Sequence, residues 1–353
     1  MVLVYSGLLL LFLLQIPNQR FSKKNMKLCA AGAFLLFAVS AMKEITAYGD
    51  LINYANAYKD LPFYRYTDLF LLWKNGDMKD VAFYAVAKPF ADIGARPEIW
   101  MGFIALVYAA AVGFFVYHHS KQPFMSFLVL VVLFYGFTLS GLRQAMAMSL
   151  CFVAYHFAVK RKFWPFLALV LMAFLLHSSA LIFLPTYWVM GWRLGWKHVV
   201  MVVAAGGIAM LFPEVFRRMI ELIAWNDYLL DYADRTQALS WAGYAIQLFV
   251  LIFCVVFRIG CAENNEARKC NIDVFINCMV IGICLQSFTV VVAEAFRMSY
   301  YYSMCSVAAI PNVIADQKIA MTKNWLYLAV GVCLVAYMAW SGQYNVLTFF
   351  WQK

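Results

Sequence analysis

Charge is what this chain has least of. Only 13% of its 353 residues are Asp, Glu, Lys or Arg, about half the share usual in a soluble domain. With 65% apolar and 18% aromatic residues, the apolar runs are too many and too long for one buried core, which excludes a soluble fold. A large domain on the basic side is missing as well. The longest connection there, about residues 258–271, is too short to fold a catalytic unit. That side also lacks an Asp-x-Asp pair and a glycine-rich phosphate loop, which argues against chemistry on nucleotide sugars or ATP. Paired cysteine spacings are absent: all nine cysteines lie in apolar runs or basic connections, so neither a disulfide framework nor a metal site is expected. A cleavable leader is not expected either, because Met1–Ile16 is followed, not preceded, by positive charge and reads as a first spanning helix.

What charge there is follows a pattern. The net +10 gathers in short connections of one parity, among them Lys23, Lys24, Lys121, Lys160, Arg161 and Lys162. That is the positive-inside signature of a polytopic membrane protein, and it leaves a nucleic-acid role without support. The expected fold is an all-α integral membrane protein, one transmembrane domain over residues 1–353 with about twelve helices and both termini outside. The spans lie near 1–16, 27–42, 98–117, 123–139, 142–159, 163–177, 178–191, 198–212, 241–258, 273–293, 298–315 and 325–341. Two large outer loops separate them, 43–97 and 212–240, the first carrying an amphipathic helix near Val81–Ile93 suited to the outer leaflet.

The stretch 141–187 organises the rest. An apolar run opens at Arg143-Gln144, turns at Lys160-Arg161-Lys162, and a second run returns to His177-Ser178-Ser179. At 1.5 Å per residue the two legs are ~26 Å and ~22 Å long, so Arg143 and His177 are expected at nearly one level, on the outer side. Polar groups at such a place are a site by default, although a snorkelling anchor and a hydrogen-bonded helix-end histidine remain the plainer readings. His177 is the only outer histidine, so no histidine metal site is expected there.

Three separated stretches resemble the EpsG-type, Wzy-like bacterial polysaccharide polymerases. The first is the hairpin, with Arg143-Gln144, the basic turn and His177-Ser178-Ser179-Ala180-Leu181-Ile182. The second is Lys43, Asp50 and Tyr54, spaced as in the family's first-loop signature, although the family usually has Arg where Lys43 stands and Thr where Leu51 stands. The third is Arg297 with Tyr300, Tyr301, Tyr302 and Pro311. Glu294 stands three residues before Arg297 and shares its helix face, so pairing between those two is the plain alternative.

The resemblance implies a GT-C-like membrane fold and an active face directed outward from the bacterial cytoplasmic membrane. The reaction it implies passes a growing glycan from undecaprenyl diphosphate onto a lipid-linked repeat unit. Donor and acceptor would both be undecaprenyl-diphosphate-linked oligosaccharides, with membrane lipids, a chain-length regulator and a flippase as partners and no cofactor or metal. Arg143, Arg297 and Lys43 would hold diphosphate, since guanidinium groups offer paired donors to phosphate oxygens. His177, Asp50 or Glu294 would be the base for the attacking hydroxyl, and His177 as imidazolium would alternatively grip phosphate. Tyr54 and Tyr300 would face sugar rings. In the loop 212–240, Trp225 and Tyr228 interleave with carboxylates, which suits sugar rings and equally an amphipathic interfacial helix with an aromatic belt. A ligase using the same lipid donor and a lipid-linked oligosaccharide transporter or flippase are the alternatives. A transporter places its charges near the midplane on broken helices, whereas here they gather at one side.

Overall fold

The computed structural model describes residues 26–214, 241–261, 266–290 and 295–352, together with Val4, Ser6, Gly7 and Arg218. The expected first span and most of the loop 212–240 lie outside them. Five helices among the described residues are long and apolar enough to cross a membrane: Pro97–His119, Leu142–Val159, Trp241–Ile259, Ile272–Thr289 and Ala320–Ser341. Shorter apolar helices cover Met26–Ala41, Pro123–Thr138, Phe163–Leu176, Ser178–Val189 and Trp196–Leu211. The chain is therefore a polytopic, all-helical membrane protein. It divides into two compact units, residues 1–184 with 327–353, and residues 185–326.

In the first unit the helices are α1 (Met26–Ala41), α2 (Gly49–Asp60), α3 (Tyr66–Lys74), α4 (Val81–Asp92), α5 (Pro97–His119), α6 (Pro123–Leu130), α7 (Leu142–Val159) and α8 (Phe163–Leu176). The hairpin of α7 and α8 is its centre. Lys160, Arg161 and Lys162 make the turn, with Arg161 at φ +56°. Helix α5 runs alongside α7 in the same direction, because His118 and His119 at its end lie 4.5 and 5.3 Å, ring centre to ring centre, from His156 near the end of α7. Helix α1 runs the other way: Ala33 and the Cys29 carbonyl pack against Gly113 near the end of α5. Gly32 lies directly under the Phe127 ring, where a Cβ would overlap it. Such small residues let membrane helices approach closely. Lys43, which follows α1, therefore lies at the same end of this unit as Arg143.

After α6 the helix widens into a π-helical turn, Val131–Tyr135. A wider turn frees carbonyls, which must be satisfied inside a bilayer. The C-terminal segment supplies the donors: the Gln343 side chain donates to the carbonyls of Val131 and Val132 at 3.3 and 2.9 Å, and the Tyr344 hydroxyl donates to that of Val131. Beyond it, Phe349 pairs with Lys43 in an antiparallel bridge, and the Glu44 N–H donates to the Thr348 carbonyl at 2.8 Å. Residues 343–352 thus strap the end of α1 to the π turn.

The first loop is more structured than its expected single amphipathic helix. It holds α2, α3 and α4. Helix α4 matches the expected position near Val81–Ile93, but its apolar face turns inward, burying Phe83, Ala87 and Ala91. Lys88 is buried too, its ammonium donating to the Leu61 carbonyl at 3.2 Å and to Asp92 at 2.6 Å. Large exposed apolar side chains belong instead to α3 and its approach: Phe63, Tyr66, Phe70 and Trp73. Lys88 is what turns α4 inward. An amine with two oxygen partners and a desolvated stem belongs under a loop, where an interfacial lysine would keep its head in water.

In the second unit the helices are α9 (Thr186–Val189), α10 (Trp196–Leu211), α11 (Trp241–Ile259), α12 (Glu266–Gln286), α13 (Phe296–Ser303) and α14 (Ser306–Ala315). The final long helix, α15 (Ala320–Ser341), starts in the second unit and ends in the first. Expected span 298–315 is two helices, broken at Met304 and Cys305, with Pro311 inside the second. Pro311 has no N–H to give to the Val307 carbonyl, so the ladder of the second helix is weakened there. Gln247, Gln286, Ser299 and Ser303 hydrogen-bond one another between α11, α12 and α13. Arg258 forms a two-point ion pair with Asp273, so an acid offsets one of the expected basic-side charges.

Candidate functional site

Three pieces of the first unit converge at the end of the hairpin opposite its basic turn. Helix α7 starts at Leu142, which puts Arg143 in its first turn. Helix α8 stops at His177, whose backbone is extended at φ −158° and ψ 115°, and a 3₁₀ stretch Ser178–Phe183 follows. The third piece is the entry to α4. After α3 the chain turns at Gly76, φ +85°, and reaches Asp80 in the left-handed region at φ +55°. Asp tolerates that region better than most residues. Asp80 does not cap its own helix, and its carboxylate reaches the hairpin.

That carboxylate ties the pieces together. Its Oδ2 accepts from Arg143 Nη1 at 3.1 Å and lies 2.8 Å from His177 Nδ1. Its Oδ1 accepts from the Ser178 backbone N–H at 3.0 Å. Arg143 Nε points at the Tyr54 hydroxyl at 3.4 Å, with the guanidinium carbon 5.7 Å from the Tyr54 ring centre. Tyr54 in turn packs on buried Phe83, ring centres 5.6 Å apart. The three side chains differ in exposure in a way that assigns them places: Asp80 is 4% exposed, His177 19% and Arg143 30%. Asp80 is the inner support; histidine and arginine present the surface a ligand would meet.

Burial opposes ionisation of Asp80, yet the His177 hydrogen bond and charge, the Arg143 charge and the Ser178 N–H together hold its carboxyl below the ordinary carboxylate value. It is therefore an anion at neutral pH. Arg143 uses one N–H on Asp80 and one on Tyr54, which leaves three of the five guanidinium hydrogens for a ligand.

The other residues singled out from the sequence lie elsewhere or outside the described part. Lys43 is buried, its amine 3.4 Å from Ser40 Oγ, and it makes no bond to the Asp80 cluster. Asp50 is exposed in the first turn of α2 and does not join the cluster. Arg297, 6.0 Å from the Phe296 ring centre, and Tyr300, 5.3 Å from it, belong to α13 of the second unit. Glu294, Trp225 and Tyr228 lie outside the described residues.

Sequence reasoning missed Asp80. Its only trace was the acidic pair Asp77 and Asp80 in a loop with two lysines, a pattern that usually means a solvated turn. Ser178 was visible as part of His-Ser-Ser, but its role, a backbone donor, carries no residue signature. Among the described residues no group of three or more His, Cys, Asp or Glu side chains is placed to hold a metal ion.

No curated protein and no solved structure matches the chain. The model of one protein family does match, the EpsG family, over residues 26–351. The match spans nearly the whole chain and both of its units, and the chain belongs to the EpsG family.

Proposed function

We propose that the protein is a polysaccharide polymerase of the bacterial cytoplasmic membrane, acting on lipid-linked glycans at its outer face. It would move the growing chain from undecaprenyl diphosphate onto a lipid-linked repeat unit. The observation that carries this reading is the pairing of a partly open arginine and a partly open histidine on one buried carboxylate, at the hairpin end away from the basic turn. A guanidinium with free donors suits the diphosphate that leaves, and a neighbouring imidazole suits the proton of the hydroxyl that attacks. Arg297 and Lys43 are further diphosphate candidates by resemblance, with Tyr54 and Tyr300 as sugar-facing rings. The linkage to diphosphate already holds the energy of transfer, so no nucleotide is required.

The experiment is chain-length analysis of surface polysaccharide in a strain lacking the protein. Loss of polymer with single repeats still exported supports a polymerase. Polymer that is made but not transferred to its final acceptor means a ligase, and repeats accumulating inside the cell mean a flippase.

A further inference from the structure

Resting on the polymerase reading, we infer that Asp80 is the positioning residue that sets His177 as the base for the attacking sugar hydroxyl. The inference starts from the hydrogen-bond inventory. An ionised carboxylate only accepts, so the 2.8 Å contact with Asp80 Oδ2 requires His177 Nδ1 to carry a proton. The proton that decides chemistry is then the one on Nε2. Arg143 bonds to the same oxygen and already supplies Asp80 with a positive charge. Further titratable groups that interact with Asp80 and Arg143 include Tyr84 on α4 and Tyr54 on α2. The Nδ1 proton held by Asp80 leaves the ring's lone pair on Nε2, the nitrogen that can take a proton.

Three restraints fix that lone pair. The carboxylate itself is locked at both oxygens, by Ser178 N–H on one and by Arg143 on the other. Its backbone sits in a left-handed turn, which carries the side chain away from its own helix toward the hairpin. His177 ends α8 with extended backbone, so the ring leaves the helix axis. In the step, His177 Nε2 takes the proton of the acceptor hydroxyl while that oxygen bonds to the anomeric carbon. The bond from that carbon to the diphosphate oxygen breaks, and its electron pair leaves with the diphosphate, whose negative charge the free Arg143 N–H donors receive. Asp80 stabilises the imidazolium so formed. The proton then passes to the departing diphosphate or to water. Asp80 touches neither sugar nor phosphate.

The rival role is a standing imidazolium that grips phosphate, and the two differ in the sign of their pH dependence. The test uses the full chain in lipid nanodiscs with purified lipid-linked repeat units, following polymer length over time across pH 5 to 9. As a base, His177 gives a wild-type rate that falls as pH drops; as a phosphate grip, it gives a rate that falls as pH rises. Asp80→Asn keeps the shape and can still accept from Ser178 N–H, but it favours the wrong histidine tautomer. Its kcat should fall on the order of 100-fold or more, with KM for the repeat unit changed only a few-fold, and Asp80→Glu should recover part of the loss. The inference is overturned by a wild-type rate that rises toward acid, or by a well-folded Asp80→Asn with kcat within a few-fold of wild type. The wild-type profile needs no variant, so it decides even if Asp80→Asn misfolds. A wild-type protein that forms no polymer from these units sinks the polymerase reading itself, a failure separate from either result.

Discussion

Lys43 shows how one side chain's environment redirects the meaning of its charge. The residue stands where the family's first-loop signature has a basic group, but its amine is buried against Ser40 with no carboxylate partner among the described residues, and burial pushes its pKa down to about 7. The unfolded chain holds the proton up to the ordinary lysine value near 10.4. Between about pH 7 and 10 the unfolded state therefore binds more protons, and stability rises with pH by at most about 1.4 kcal/mol per unit. Below pH 7 both states are protonated and the slope vanishes. Lys43→Met keeps the length and removes the charge. It should stabilise the protein at neutral pH, on the order of 1–3 kcal/mol, and abolish the alkaline rise. Thermal unfolding in detergent across pH 6 to 10 checks both. A variant less stable at pH 7 than wild type would mean the amine has a charged partner in the fold.

Among the elements, the π turn and the C-terminal strap depend on each other. Val131 and Val132 carbonyls, freed by the wide turn, are satisfied by Gln343 and Tyr344. A buried carbonyl left bare costs roughly 1–3 kcal/mol. Gln343→Leu should therefore lower stability by about that amount. A chain ending at Gly342 should lose more, because Tyr344 and the Phe349 bridge to Lys43 go with it. Fluorescence-detected size exclusion after a temperature series measures the ordering, and a truncated chain as stable as wild type would show that the π turn satisfies itself. The site's own elements are held differently. Asp80 is joined to segments 63 and 97 positions away in sequence, through Arg143 and His177, so loosening any one of α4, α7 or α8 disorders all three groups at once.

At the scale of the whole molecule, the side that the site faces can be measured by labelling. The positive-inside rule would direct the basic turn of the α7–α8 hairpin inward, and the Asp80 cluster lies at the other end. In a background without native cysteines, Lys74→Cys on exposed α3, six residues before Asp80, should react with a membrane-impermeant maleimide in intact cells. Lys162→Cys in the basic turn should react only after the cells are opened. The reverse pattern would put the site on the cytoplasmic face and remove the outer-face part of the functional reading.

The sequence by itself determined the class and the two helices of the central hairpin. Apolar runs and basic turns are local signals, so expected 142–159 coincides with Leu142–Val159 and expected 163–177 lies within a residue of Phe163–Leu176. It also marked Arg143 and His177, because two helices of known rise joined by a short turn must bring their far ends together. It could not show that 298–315 breaks at Met304, since hydropathy does not register a lost ladder bond. Nor could it find Asp80. A carboxylate in a polar loop looks the same whether it meets water or a hairpin, and only the left-handed turn before α4 aims this one at Arg143 and His177. The same holds for Lys43, whose burial beside the strap from the C-terminus leaves no trace in the sequence. Burial and long-range pairing are properties of the packed chain, and at these positions they set the protonation state and the bonding partners of each group.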